Sequence, residues 1–277
     1  VLLASWHAWV LPRPATDAPA RRAVLARGAP APEGGAAEPG AAAAATALRQ
    51  RLVEFGSVLG AFFRRGDIAR VLAFLLLYRF SEAQLTRLLV PFLLDPQAAG
   101  GLGLATQQVG VAYGSFGVAA LTAGGLLGGW WISRIGLKRA LWPLVLAMNA
   151  PNVLYVVLAL WLPDVGGAGW EAGGALGALA VVTAAIVVEQ FGYGFGFTAC
   201  MVYMLRVASQ PLPGGAPNPH QTAHYALCTG FMALGMMLPG MGAGWLQQQL
   251  GYAGFFAWCC VATVPSFVAA ALIRIDD

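Results

Sequence analysis

Three charged residues stand inside a stretch otherwise built to avoid water. Residues 78–89 read YRFSEAQLTRLL, after VLAFLLL (71–77) and running into LVPFLL (89–94), so Arg79, Glu82 and Arg87 fall within one apolar run. A fourth, Glu189, sits in AIVVEQFGYGFGF (185–197). An ionised side chain at the centre of a bilayer costs about 2.5–3.5 kcal/mol even on the mildest scale. Such residues are kept for a partner or for a pathway. Arg79 and Glu82 are three apart, share one helix face and can pair, and Thr86 extends that face. Arg79 lies too far along the helix from its basic flank to reach the interface, whereas Arg87, near the other end, can snorkel out. Two readings of the pair stay open here: an ion pair that holds helices together, or part of a cavity wall or proton pathway.

Glu189 is the stronger single candidate for proton chemistry. No basic residue lies within one turn of it, and a carboxylate held out of water without a cation is a group that can carry a proton. A protonated Glu189 that merely bonds a neighbouring helix is the plainer alternative. Tyr193 lies one turn on, and Gly192 and Gly196 let another helix or a ligand approach the backbone. With Gln190, Tyr78 and Thr86, Tyr193 completes the set of candidate cavity residues. GYGFG is not a dinucleotide fingerprint, because it neither follows a strand nor opens a soluble helix. His220, His224 and Cys228 recur every four residues, which invites a metal. Three ligands on successive turns of one helix spread over roughly 12 Å and cannot meet on one ion. An interfacial or pH-sensitive position fits them better, and no cofactor or metal is expected.

The elements that must carry these residues follow from composition. Of 277 residues, 58% are hydrophobic and 10% charged, with 36 Gly and a mean hydropathy of +0.68. A soluble domain carries about 25% charged residues, so the class is integral membrane protein. The formal net charge of +4 then belongs to loops facing the cytoplasm rather than to a nucleic-acid surface. Cys200, Cys228, Cys259 and Cys260 lie in apolar runs without a CxxC pair and read as small buried hydrophobes. Six runs are long enough to span, at 68–94, 107–132, 140–162, 173–205, 222–246 and 252–273. Alternating apolar and polar residues are absent, which argues against a β-barrel.

Orientation follows from the cations. Arg64, Arg65 and Arg70 precede the first run. Arg134, Lys138 and Arg139 separate the second from the third, Arg206 borders the gap after the fourth, and Arg274 follows the sixth. The remaining gaps hold Asp95, Asp164 and Glu171 but no Lys or Arg. That alternation places the basic loops and both chain ends in the cytoplasm. Upstream, 1–11 reads as the tail of a preceding span. Residues 12–47 are rich in Ala, Pro and Gly and read as a disordered cytoplasmic linker. Residues 48–66 read as an amphipathic cytoplasmic helix, with Leu48, Leu52, Phe55, Leu59 and Phe62 at helical spacing, or alternatively as an extension of the first span. Residues 67–277 form the six-helix domain. Gly110/Gly114, Gly124/Gly128, Gly125/Gly129 and Gly240/Gly244 have the spacing of close helix packing, either static or permitting helices to rock.

GWWISRIGLKR (129–139) resembles the G-x-x-x-D-R-x-G-R-R loop of the major facilitator superfamily. Gly129, Arg134, Gly136, Lys138 and Arg139 match, and Ser133 stands where an Asp is usual. Together with YRFSEA (78–83), the segments EQFGYGFGFTACMVYML (189–205) and HYALCTGFMALGMMLPGMGAGWLQQQLGYAGFF (224–256) are similar to the second half of muropeptide permeases and related peptide and acetyl-CoA transporters. VLPRPATDAP (10–19) resembles the linker after the sixth helix of such carriers. The resemblance implies an all-α, six-transmembrane-helix C-terminal half, built of two three-helix repeats. It implies an N-terminal six-helix partner half and a multi-pass place in the inner membrane. It also implies proton-coupled import of a cell-wall sugar–peptide by alternating access, with Glu82 and Glu189 lining the central cavity. Another solute (sugar, peptide or acetyl-CoA-like), a membrane-embedded enzyme, or a non-transporting remnant are the alternatives. No Ser, His and Asp set is arranged for acyl transfer, so no enzyme is expected.

The orientation is open to direct test. A cysteine introduced at Ala98 or Asp164 is expected to react with an impermeant thiol reagent added outside the cell, and one at Lys138 to stay silent. Labelling of Lys138→Cys from outside, with Asp164→Cys protected, reverses the topology.

Overall fold

The computed structural model describes residues 41–169, 175–211, 217–273 and 275. The expected terminal span (1–11), most of the expected linker (12–40), Glu171 and Arg274 lie outside the described residues. The described chain is helical, without strands. Helix α1 (Ala41–Phe63) is followed by α2 (Ile68–Leu77), α3 (Phe80–Leu94) and a single 3-10 turn. Next come α4 (Thr106–Ile135), α5 (Leu137–Asn149), α6 (Asn152–Gly169) and α7 (Ala175–Ser209). The chain closes with α8 (Gln221–Met241), α9 (Ala243–Val261) and α10 (Val264–Leu272).

Among the described residues, four helical stretches are long and apolar enough to cross a membrane: Thr106–Ile135, Leu137–Trp161, Gly177–Ser209 and Ala243–Leu272. Large apolar side chains on their outer faces are bare, among them Leu126 at 72% and Trp161 at 71% exposure. Faces of that kind suit hydrocarbon rather than water. The first expected span, 68–94, is not one helix. It breaks at Tyr78–Arg79 into pieces of 10 and 15 residues. The fifth, 222–246, is divided between α8 and the start of α9, which itself kinks at Gly251 (φ 66°). Helix α1 begins at Ala41, seven residues before the expected 48, in an alanine run of high helix propensity. It ends before α2 begins, so it is a helix of its own rather than an extension of the first span. Near its C-terminal end Val58 and Phe62 are buried, while Leu52 and Phe55 are exposed.

Helix α7 is the hub. It packs along α4 and α5, and α8 packs along α2 and α3. Three glycines make the first of these approaches possible. A Cβ on Gly194 would collide with the Leu121 carbonyl of α4, and one on Gly192 with the Ala147 carbonyl of α5. On Gly196 it would lie 2.5 Å from the Leu144 carbonyl of α5. From the other side, a Cβ on Gly128 would lie 2.7 Å from the Phe195 carbonyl, and one on Gly124 would strike that of Phe191. The Gly124/Gly128 repeat is therefore a contact surface, whereas Gly110 and Gly114 have open space around them. The turn between α4 and α5 rests on Gly136, whose φ 80°, ψ 157° is open in practice to glycine alone.

Burial divides by depth. One apolar cluster joins Val71, Phe74 and Tyr78 to Leu144, Tyr203 and Ala270. A second joins Leu85, Phe92, Leu104, Tyr155, Ile186 and Phe256. The first cluster includes Ile132 and Leu137, beside the basic 134–139 turn. The second includes Leu102 and Leu104, at the opposite end. Between them, on each element that contributes, fall most of the buried polar residues: Arg79, Ser81, Glu82 and Gln84, then Asn149 and Asn152, then Glu189, then Ser266; Asn218 and His224 lie apart, where α8 meets α1.

The glycine packing of α7 sets an expected outcome. Gly194→Ala is expected to destabilise the bundle by about 1–3 kcal/mol, as overpacking does, while Gly230→Ala, which meets nothing within 4 Å, is expected to leave it unchanged. Thermal unfolding of the two variants in detergent reads the difference, and equal melting would remove α7 from its place as the hub.

Candidate functional site

The break in the first run puts Arg79 where a helix would not. Its backbone (φ −110°, ψ 23°) leaves the helical region, and it stands at the N-cap of α3. Glu82 falls in the first turn of α3, where a carboxylate faces the positive end of the helix dipole. The Arg79 guanidinium donates from Nε to Glu82 Oε2 at 3.1 Å and from Nη2 to Oε1 at 2.9 Å. Nη2 also donates to the Tyr193 hydroxyl at 2.6 Å. The guanidinium carbon lies 4.6 Å from the Phe197 ring centroid and 5.1 Å from that of Tyr193. A bidentate fork and two aromatic faces are what guanidinium chemistry offers and ammonium does not. Around the break, the Ser266 hydroxyl donates to the Leu77 carbonyl at 3.3 Å, and the Tyr78 hydroxyl to the Gly196 carbonyl at 2.9 Å. Irregular backbone at this depth is thus enclosed and partly bonded by other helices.

Glu189 lies one turn before Tyr193 on α7 and is 2% exposed. The Gln190 amide donates to its Oε2 at 2.9 Å. Two phenols lie nearby, Tyr155 (α6) within electrostatic reach of both the Glu189 carboxyl and the Tyr113 hydroxyl (α4). Neither phenol completes a full hydrogen bond. Tyr113 belongs to a π-turn, Ala112–Gly117, whose Gly117 abuts Ile186 and Gln190. Glu82 is within electrostatic reach of Glu189. Glu189 is therefore enclosed within the bundle, among α4, α6 and α7.

The remaining expected residues separate. Tyr193 and Gln190 belong to the two polar groups just described. Tyr78 locks the break to α7. Thr86 is exposed, and its hydroxyl bonds back to the Glu82 carbonyl at 2.9 Å. Arg134, Lys138 and Arg139 are exposed, at the end of α4 and the start of α5. Arg134 lies over Trp130 at 5.5 Å. His224 is a bracket: its ring nitrogens meet the Asn218 amide at 2.9 Å and the Val58 carbonyl at 3.3 Å, joining α8 to α1.

Sequence reasoning passed over Ser81, Asn152, Phe197, Tyr113 and Tyr155. Asn152 donates to the Ser81 hydroxyl at 2.9 Å, which donates to the Cys259 carbonyl at 2.7 Å. A buried Asn beside Pro151 carried a signal in the sequence. A tyrosine in an apolar run carries almost none.

No protein-family model matches the chain. Over 213 residues, 77% of this chain and 38% of the relative, it is 24% identical to the anhydromuropeptide permease of Escherichia coli, in both strain K12 and O157:H7. Over 211 residues, 75% of this chain and 44% of the relative, it is 27% identical to an uncharacterized protein of Haemophilus influenzae. It is a distant homologue of a membrane permease. The chain spans less than half the length of the curated relatives it matches. That homology favours a transporter over an enzyme.

Removing one member of a buried ion pair strands the other charge, at a cost of about 3–5 kcal/mol. Arg79→Gln and Glu82→Gln are each expected to lose stability on that scale, and the double variant to lose much less than their sum. A double-mutant cycle on thermal unfolding decides it, since additive losses would mean that the two groups do not act as a pair.

Proposed function

We propose that this chain is the C-terminal six-helix half of a major facilitator carrier that imports cell-wall anhydro-sugar peptides together with protons. The observation that carries the reading is a charge imbalance. Among the described residues, the buried Asp, Glu, Lys and Arg side chains are Arg79, Glu82 and Glu189. Glu82 is matched by the Arg79 fork, and Glu189 has no cation. A buried, unbalanced carboxylate is costly. One mobile positive charge removes that cost, and a proton is the smallest that fits a site closed by Gln190 and two phenols.

Homology to an anhydromuropeptide permease supports the solute class. A peptide-bearing solute carries carboxylates, and Arg79 is the cation nearest the middle of the bundle that can fork onto one. The broken helix at Tyr78–Arg79 supports the same place, since carriers build their solute sites at interrupted helices near mid-bilayer. In this reading, spans one and four are equivalent members of two three-helix repeats, and they touch through Tyr78, Arg79 and Tyr193. The N-terminal half closes the other wall of the cavity, and rocking between the halves gives alternating access. The carrier lies in the inner membrane with both ends in the cytoplasm. Helix α1 lies along the cytoplasmic surface, with its exposed Leu52 and Phe55 toward lipid.

Glu189→Gln keeps shape and hydrogen bonding but removes the exchangeable proton. In the intact carrier it is expected to abolish uphill uptake of the anhydro-sugar peptide. Exchange of labelled solute across the membrane, which needs no net proton movement, is expected to survive. Uphill uptake at the wild-type level would make Glu189 a packing residue. A carrier that binds and exchanges sugars or acetyl-CoA but no muropeptide would overturn the solute assignment.

A further inference from the structure

Two buried hydroxyls remain unaccounted for. Tyr155 is fully buried, and the hydroxyls of Tyr113 and Tyr155 are the buried side-chain polar atoms, among the described residues, that close no hydrogen bond. Each such group is costly unless something uses it. Both lie in one neighbourhood: Tyr155 is within electrostatic reach of Tyr113 and of Glu189, though it closes a hydrogen bond with neither. The three residues come from three separate elements, α4, α6 and α7, so no local helix periodicity forces the arrangement. The backbone under Tyr113 is itself unusual. A π-turn, Ala112–Gly117, shifts the phase of α4 there, and its Gly117 sits against the Glu189 turn of α7 at Gln190. Such turns inside α-helices concentrate at functional sites.

Position along the bundle gives the array a direction. Tyr155 belongs to, and Tyr113 packs against, the apolar cluster that holds Leu102 and Leu104. That is the end opposite the basic turn. With the basic end in the cytoplasm, both phenols lie on the outer side of Glu189. The titratable or charged groups facing Glu189 are Tyr113 from α4, Tyr155 from α6, Glu82 from α3 and Tyr193 from α7 itself, with the Gln190 amide beside it. Glu82 is occupied by Arg79, and Tyr193 accepts from Arg79. Tyr113 and Tyr155 are the two that remain free to relay.

We propose that Tyr113 and Tyr155 form a hydroxyl relay that delivers the coupled proton from the outer side of the membrane to Glu189. The inference rests on the proton-coupled reading of Glu189 given above. A proton arriving at the Tyr113 oxygen releases that hydroxyl's own proton to the Tyr155 oxygen. Tyr155 in turn releases its proton to a Glu189 carboxylate oxygen. Each phenol gains one proton and loses one, both end neutral, and the carboxylate becomes a carboxylic acid. The hydroxyls now point the opposite way and must rotate back before the next proton. Their lack of fixed hydrogen bonds leaves them free to do so. The phenols are positioning residues that act through Glu189, and they need no contact with the solute.

The test uses the intact carrier in proteoliposomes, with Tyr155→Phe, Tyr113→Phe, the double variant and Glu189→Gln. Phenylalanine keeps the ring and its packing and removes only an oxygen that holds no full hydrogen bond. Uphill uptake driven by an imposed proton gradient is expected to fall about 10²-fold in Tyr155→Phe, the scale of losing one positioned proton-transfer group. Solute exchange without a gradient is expected to stay within about two-fold of wild type, because binding and rocking are untouched. Lowering the outer pH is expected to restore part of the uptake. The double variant is expected to be no worse than Tyr155→Phe, since the two groups act in series. If Tyr155→Phe fails to fold, Tyr113→Phe at the rim of the site carries the same test. Wild-type uphill uptake in both phenylalanine variants, with Glu189→Gln inactive, overturns the relay and leaves the proton site standing. An equal fall of uptake and exchange overturns it too, by making the phenols part of the solute site or the packing. Uphill uptake that survives Glu189→Gln overturns the relay together with the reading beneath it.

Discussion

The arrangement depends on how one guanidinium is held at mid-depth in a medium that does not tolerate it. Arg79 cannot reach water along its own helix, so three elements are shaped around it. The helix breaks at Tyr78–Arg79, which frees the first turn of α3 to present Glu82. Helix α7 supplies the Tyr193 oxygen and the Phe197 face. The Ser266 hydroxyl, just inside α10, takes up the Leu77 carbonyl that the break releases. A bidentate pair in low dielectric is strong only when its remaining donors are also used. Here one further donor finds a phenol and the cation's flat face finds aromatic carbon. The cost of desolvating Arg79 is thus offset by geometry that spans elements far apart in sequence.

That geometry is available because α7 approaches its neighbours closely. Gly192 and Gly196 admit α5, while Gly194 admits α4. The sequence GYGFG thus alternates contact faces: its glycines bring backbones together, and its tyrosine stands between them toward Arg79. The same approach encloses Glu189, one turn earlier, beneath the π-turn of α4 and beside α6. Tight backbone packing without a large apolar side chain suits a bundle in lipid, where burying another leucine yields little.

Two carboxylates at similar depth consequently live in different chemistry. Glu82 has a fixed cation and a helix N-terminus. Glu189 has one bonded amide and two phenols in its neighbourhood, all neutral. The first arrangement is a structural joint that a competing carboxylate can address through Arg79. The second lacks one positive charge. Placing both between apolar clusters, one toward the basic turn and the other toward the 95–105 loop, confines the buried Arg79, Glu82 and Glu189 to one layer of the bundle.

The sequence by itself determined the helical class and its apolar surroundings. Sparse charge and long apolar runs called for helices in a membrane, and the alternation of Lys and Arg across the gaps gave an expected side for each loop. It also marked Arg79, Glu82 and Glu189, because a charge in an apolar run is conspicuous wherever the chain folds, and the three-residue spacing of Arg79 and Glu82 already allowed the pair. Tertiary structure alone decided the rest. Whether 68–94 was one helix or two turned on how Arg79 could be satisfied, and its partners Tyr193 and Phe197 lie more than a hundred residues away. How closely Glu189 is enclosed was not legible either, since Gly124, Gly128 and Gly194 determine how near α4 comes. Tyr113 and Tyr155 were invisible in the sequence for a plain physical reason: a tyrosine is mostly ring and fits any apolar run, and only the packing of three helices decides where its single oxygen points.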